Sequence, residues 1–403
     1  MADADLIITN GTIVTEGGTF EAALIVADGQ IVAYTEDASG WDAPERIDAS
    51  GLLVMPGGID VHTHFEEPDP DLLEGFTSGG RSAAAGGLTS VVEMPQARPT
   101  TTTPAQFADK VQLVSDNAVV DMALWAGAIG PPLQSADDLT AMVDLGAAAF
   151  KSFMASSSPL FPAVDTAQLL WVMEEAAKLG IPYGLHAEDQ SLLQAGLART
   201  EGVGRRDALA HAESRPPLVE TVAVSTVLLL AAETGCHAHI CHLASAGALE
   251  LVRAAKARGL KVTAETCPQY LMLNTDDLER LAGFARCAPA IREQRSWLRE
   301  HLRRATRPFR RANTVPRHVQ RSGGAPRDDA RALRTTDVHQ PRSHLRALPA
   351  QGLAHHRCRR GHHAARSGRN LDGDGGGRVA QAQVDAFRWQ AGDRTCGTHH
   401  PAR

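Results

Sequence analysis

"GGIDVHTHFEEP", residues 57–68, places His62 and His64 one residue apart, directly after a short apolar run. Residues two apart on a strand point to the same face. A His-x-His pair leaving a strand end can therefore converge on one point, and imidazole pairs commonly hold a metal ion there. Taken alone, the pair reads equally well as two exposed loop histidines. What decides is whether other parts of the chain deliver matching groups to the same place.

The same stretch opens a repeating pattern. From residue 52 onward, short apolar runs appear in the order "LLVMPGGIDV", "LTSVVEM", "VDMALWAG", "AAAFKSFM", "IPYGLHAE", "HAHICHL" and "LKVTAET". Amphipathic segments such as "TAQLLWVMEEAAKLG" and "AGALELVRAAKARG" lie between them. Strands that alternate with helices imply a parallel sheet. Seven such units predict a (β/α)8-type barrel, a TIM barrel, lacking its last strand. The alternative is a doubly wound open sheet, but the chain has no Gly-rich dinucleotide loop. Upstream, "LIITNGTIV" and "AALIVADGQIVAYTE" alternate apolar and polar residues around Gly and Asn-Gly turns, the chemistry of strands and hairpins. The expected organisation is a small β-unit over residues 1–51, the barrel over 52–294 and a third segment over 295–403.

In such a barrel, chemistry gathers at the C-terminal ends of the strands. His62 and His64 follow the first strand, Lys151 ends the fourth, His186 the fifth and His242 the sixth. One histidine at a strand end is ordinarily a satisfied core residue; four at the ends of three strands that share one mouth point to metal. Imidazole suits zinc and neighbouring transition metals, yet four histidines closing one site would leave no open position for catalysis. Lys151 supplies the missing logic. An ammonium beside a dication must lose its charge, and the neutral amine can take up carbon dioxide. The resulting carbamate is an anion with two oxygens that can bridge two metals, whose joint charge lowers the pKa of a shared water. The other reading of Lys151 is a snorkelling side chain, which needs an exposed end that an apolar strand does not supply.

At these residues the chain resembles the cyclic amidohydrolases of the amidohydrolase superfamily: allantoinases, hydantoinases, dihydropyrimidinases and dihydroorotases. The resemblance covers about residues 5–294 and runs through "GGIDVHTHFEEP", "EGFTSGGRSAAAGGLTSVVEMP", "FKSFM", "HAED", "HICHLAS", "ETCPQYL" and "RCAPAIRE". It implies that His62 and His64 bind a first divalent metal, His186 and His242 a second, both expected to be zinc, and that N6-carboxylated Lys151 bridges them. It further implies hydrolysis of a C–N bond in a cyclic amide or ureide. "VDMALWAG", "HICHLAS", "ETCPQYL" and "RCAPAIRE" read most like allantoinase, which opens allantoin to allantoate; hydantoinase or dihydropyrimidinase activity is the alternative. Dihydroorotases place an arginine two residues after the second histidine to hold a substrate carboxylate, and Glu66 stands there instead. Ser156 and Cys287 fall where the family contacts its ring substrate, although each alone reads as a small loop or core residue.

The family's last ligand and general base, an aspartate in a Ser-Asp-His context ending the eighth strand, is not found. Asp337 in "RTTDVHQ" has no apolar strand leading into it. The net charge of −7 also conceals a division: residues 1–294 carry 17 Lys+Arg against 39 Asp+Glu, whereas residues 295–403 carry 23 Arg, no Lys and 8 acids, with 10 of the 17 histidines. As protein this segment reads as irregular or disordered.

Its composition has a second source. Arg, Gly, Ala and Pro without Lys are what GC-rich DNA yields out of frame. With permitted codons read one base on, residues 352–366, "GLAHHRCRRGHHAAR", give Gly-Ser-Leu-Thr-Ile-Gly-Ala-Asp-Ala-Asp-Ile-Thr-Leu-Leu-Asp, similar to the family's C-terminal strand pair. In the same frame residues 370–373 yield Thr-Trp-Thr-Val and residues 384–389 yield Trp-Thr-Pro-Phe-Asp-Gly, in the family's order. The reading is a frameshift near residue 294, in the gene or its sequencing; the alternative is a genuine basic tail. A barrel so truncated is expected to fold poorly, since unpaired strand edges want partners.

The remaining classes are weaker. A non-catalytic relative would have lost ligand histidines, and all four are present. Nucleic-acid binding through the Arg-rich part lacks interleaved aromatics or a recognisable fold. An acidic N-terminus without a basic n-region, no apolar run read as a bilayer span and cysteines without metal-finger spacing lead to the expectation of a cytoplasmic enzyme. Its partner would be a small cyclic ureide, with neither membrane nor nucleic acid engaged, and the in-frame protein would be a homodimer or homotetramer.

Overall fold

The computed structural model describes residues 2–69, 74–156 and 161–292. The segment 295–403, with its expected disorder, its shifted frame and Asp337, lies outside the described residues, as does any eighth strand within it.

Seven parallel strands form one sheet in sequence order: Gly58–Thr63, Leu88–Glu93, Asp121–Gly127, Ala149–Phe153, Tyr183–His186, Ala238–Ile240 and Val262–Ala264. Among the described residues each pairs only with its neighbours in sequence, so no switch point of the doubly wound kind occurs there. This is the barrel topology expected from the spacing of the apolar runs. Among the described residues the first and seventh strands do not pair, yet the sheet curls until they meet. His62, on the first, hydrogen-bonds Glu265, the residue after the seventh. Trp125 Nε1, from the third strand, reaches across the interior and donates to the Val61 carbonyl at 2.9 Å.

Alternation along each strand sorts side chains between the interior and the helix layer. On the fourth strand every residue is buried. Phe150 joins the large cluster under the helices with Leu169, Val172, Met173, Tyr183 and Val227. Ala149 packs in the interior with Met94, Trp125 and Cys241, and Lys151, two residues on, shares that side. The fifth strand repeats the scheme: Tyr183 and Leu185 face the helices, while Gly184 and His186 face inward. A Cβ on Gly184 would lie 2.6 Å from the Trp125 ring, so only glycine lets the indole cross the interior.

The helices follow from local signals. Thr166–Leu179 opens with a capping box between Asp165 and Gln168 and ends at Gly180, whose φ of 68° suits glycine. Its buried residues Leu169, Val172, Met173 and Ala176 recur at helical spacing. By length and composition the stretch Ala208–Thr234 matches a bilayer span, a match that the sequence reading did not anticipate. Its helix Pro217–Thr234 buries Val219, Ala223, Val224, Val227 and Ala231 along one side, most of them in the cluster that covers the sheet.

The N-terminal β-unit is built from two main sheets. Leu6–Thr9 pairs antiparallel with Ala23–Ala27 and parallel with Glu45–Asp48. Thr12–Thr15 pairs with Gly18–Glu21 and with Leu53–Val54. Asn10-Gly11 therefore does not close a hairpin; it carries the chain from one sheet into the other. A Cβ on Gly11 would stand 2.5 Å from Val54 Cγ2, which explains the glycine. Asp28-Gly29, with φ of 51° and 69°, is the true hairpin turn, joining Ala23–Ala27 to Gln30–Thr35. The run beginning at residue 52 is divided: Leu53–Val54 belongs to this unit, and the barrel strand starts at Gly58, beyond Pro56, which cannot donate to a ladder.

Candidate metal centre

The loop after the first strand is held by a buried carboxylate. Glu93, at the end of the second strand, accepts the Thr63 hydroxyl at 2.8 Å and the backbone N–H groups of Phe65 and Glu66 at 2.9 Å. Lys110 Nζ lies 3.7 Å from it and donates to the Met94 carbonyl at 2.8 Å, both side chains being buried. The position of His64 thus depends on an anion in the second strand. Glu93→Leu leaves the Lys110 ammonium buried without its partner, and is expected to cost about 3–5 kcal/mol. Urea unfolding of the metal-free chain measures this, and a loss below about 1 kcal/mol would contradict it.

The histidines from three strands meet. His62 Nε2 faces His64 Nε2 at 3.2 Å, and His186 Nδ1 faces His242 Nε2 at 3.0 Å. The rings of His62 and His242 stand 5.3 Å apart, which joins the two pairs into one cluster. His242 reaches its place only because its backbone adopts a left-handed conformation, φ 38°. Lys151 lies on the same interior side, 1% exposed, its Nζ 4.9 Å from the Phe153 ring centroid and without a hydrogen-bond partner. All five residues expected to be ligands are therefore brought together.

Three carboxylates that the sequence reading did not place in the site face the outer nitrogens of these rings. Glu265 takes the hydrogen bond from His62 Nδ1. Glu188 accepts from His186 Nε2 at 2.8 Å and is itself held by Arg215 Nη1 at 2.8 Å. Glu66, at a φ of 56°, lies 3.3 Å from His64 Nδ1. A ring nitrogen bound to a carboxylate carries the proton, so the other is left as a lone pair. Two of these carboxylates had a signal in the sequence, His-x-Glu in both "HFE" and "HAE". Glu265 had only its position at a strand end.

Burial favours the neutral form of three of these rings, as ligation requires. Burial, and after it the charge of Lys151, lowers His62 to about 4 against the opposing bond to Glu265. Burial likewise lowers His186, and pulls His242 well below the usual imidazole range. Burial opposes ionisation of Glu265, but its bonds with His239 and His62 outweigh this and hold the carboxyl well below the usual range. A stability trend follows. The unfolded chain takes up protons near 6.5, whereas folded His62 resists until about 4. The metal-free fold should therefore lose stability as pH falls from about 6.5 to about 4. Thermal midpoints across that range test it; a flat profile would remove the neutral-histidine assignment.

These residues fit a pair of divalent cations. Two pairs of ring nitrogens face inward, three of the four rings have a carboxylate at the outer nitrogen, and a buried amine with no hydrogen-bond partner among the described residues stands beside them. His62, Cys241 and Glu265 also bring ligand atoms within 4.8 Å of one another. That set makes a poorer site, because burial pushes the Cys241 thiol up to about 11 and Glu265 already holds the outer nitrogen of His62. The two residues expected at the substrate lie on loops outside the strands. Ser156 is exposed and its N–H donates to Gln190 Oε1 at 2.9 Å. The Cys287 carbonyl accepts from His211 Nε2 at 2.7 Å, and burial raises its thiol pKa.

The chain and its fold have close likenesses among known proteins. Residues 53–304 match the amidohydrolase family, a match that runs past the change of composition at 294. An allantoinase of Rubrobacter xylanophilus is 42% identical over 294 residues, 72% of this chain and 64% of that protein. An L-hydantoinase of Paenarthrobacter aurescens is 36% identical, over 72% of this chain and 63% of that one. Among solved structures, an L-hydantoinase (dihydropyrimidinase) from Arthrobacter aurescens superposes with a TM-score of 0.70 at 35% identity, covering 74% of this chain and 66% of that chain. A D-hydantoinase structure gives 0.68 at 32% identity, covering 75% and 66%. The chain thus spans a little under two-thirds of the curated relatives that it matches. With a parallel barrel, four converging histidines and this likeness in hand, the chain belongs to the amidohydrolase family.

Proposed function

We propose that this site is that of a metal-dependent hydrolase that opens a cyclic amide or ureide by breaking a ring C–N bond, with allantoin as substrate and allantoate as product. The observation that carries the reading is the pairing of His62 with His64 and of His186 with His242 around an unpartnered Lys151 Nζ. His62 and His64 would hold one divalent cation, expected to be zinc, His186 and His242 the other, and Lys151 would join them as an N6-carboxylate. When bound, such cations supply polarisation of a ring carbonyl and a water of lowered pKa. Every other contribution comes from the chain. Glu66, Glu188 and Glu265 orient the imidazoles, and the burial around the histidines strengthens every charge interaction there.

The allantoin reading draws on the 42% identity to an allantoinase. Hydantoin opening is the second reading, favoured by the L-hydantoinase among both the relatives and the solved structures. Ser156 and Cys287 remain proposed ring contacts, and the assembly a proposed homodimer or homotetramer. The general base, an aspartate ending an eighth strand, is not found in the sequence as written, and the proposed frameshift that would have erased it lies outside the described residues. The test is an assay of allantoin against 5-substituted hydantoins, with the zinc-loaded chain as written beside one whose reading frame is restored after residue 294. Ring opening of allantoin by the restored chain is the expected result. Preference for hydantoins would move the assignment to the second reading, and no ring opening of either would overturn both.

A further inference from the structure

Glu265 does more than hold one ring. Its Oε1 takes the bond from His62 Nδ1 and also lies 3.3 Å from the backbone N–H of His242. His62 belongs to one histidine pair and His242 to the other. Oε2 faces His239 Nε2 at 3.5 Å. The backbone of Glu265 is fixed to the sixth strand on both sides, its N–H donating to the Ile240 carbonyl at 3.0 Å and its carbonyl accepting from Leu243 N–H at 2.8 Å. The carboxylate is thus a rigid post between the seventh, first and sixth strands. His242 needs such a post, since its left-handed φ of 38° is costly for a non-glycine residue.

We propose that Glu265 is a positioning residue that couples the two cation subsites. With Oε1 on His62 Nδ1, the lone pair of Nε2 faces His64. With the same oxygen on the His242 N–H, the strained peptide is held where His242 Nε2 meets His186. Ordering either pair therefore orders the post shared with the other, and the second cation finds its ligands already placed. Glu188 is the contrasting case: it contacts His186 and Arg215 and belongs to the second pair alone.

This rests on the reading that the histidines hold metal, and the test separates the two. The full chain is titrated with Zn2+ against a competing chelator, together with Glu265→Gln and Glu188→Gln, and metal-free thermal midpoints are taken for each. The wild-type chain is expected to fill both subsites in one cooperative step. Glu265→Gln, which keeps the size of the side chain, should weaken both subsites by about 10–100-fold and separate them into two steps. Glu188→Gln should weaken one subsite and leave the other within about twofold. If the wild type takes up no zinc, the metal reading fails and the coupling with it. If the wild type binds while Glu265→Gln binds as tightly, or loses only one subsite, the coupling alone is overturned. Should Glu265→Gln not fold, 15N shifts of the metal-free wild-type histidines replace it. A proton on Nδ1 of His62 supports the post, and a proton on Nε2 overturns it.

Discussion

Lys151→Met should cost the centre at least one of its two cations and, in the same protein, leave the metal-free fold at least as stable as before. The side chain is 1% exposed and, among the described residues, its Nζ meets no hydrogen-bond acceptor, so as an ammonium it is a buried charge with no counter-ion there. Its positive field also lowers His62, His186 and His242. Replacing such a group by an apolar chain of similar length is commonly neutral, or stabilising by about 1–4 kcal/mol. Metal loading should respond in the opposite direction. Without a bridging anion two cations would face each other across neutral imidazoles, so zinc per chain after dialysis should fall from two to at most one. Added bicarbonate should raise loading of the wild type and leave Lys151→Met unchanged, because only the amine can take up carbon dioxide. A variant that is strongly destabilised and still binds two ions would refute the bridging role.

The second large effect concerns the reading frame. The chain as written is expected to open allantoin at least about 1,000-fold more slowly than a version restored after residue 294. A positioned general base alone is worth about 100- to 10,000-fold, and the written sequence beyond "RCAPAIRE" offers no Ser-Asp-His stretch. Resequencing across codons 285–403 is the direct measurement. A one- or two-base correction that recovers that stretch and the Gly-Ala-Asp-Ala-Asp strand would support the frameshift. Equal turnover by both chains would place the base elsewhere and remove the need for it.

How much of this could be read in advance varies by level. Barrel topology was legible because seven apolar runs alternate with amphipathic ones, and a strand's register on its helices is a local property. The convergence of these side chains was legible for a related reason: His62, Lys151, His186 and His242 mark the ends of those runs, and a parallel sheet gathers such ends at one mouth. The Asn10-Gly11 turn was misleading, since the residues of a hairpin turn also serve to pass between sheets. The choice depended on Leu53–Val54 arriving beside Thr12–Thr15.

The sequence by itself thus determined the strand count of the described barrel, the inward side of Lys151 and which histidines lie at the strand ends, all of which follow from alternation and order along the chain. Only the tertiary structure decided which nitrogen of His62 faces the site, because that depends on a carboxylate from another part of the barrel: Glu265 meets His62 across 203 residues of chain. It also decided that the first and seventh strands meet through this bond, and that Trp125 of the third strand reaches the Val61 carbonyl of the first. Such contacts leave no periodic trace, since a single long-range hydrogen bond constrains two residues and nothing between them.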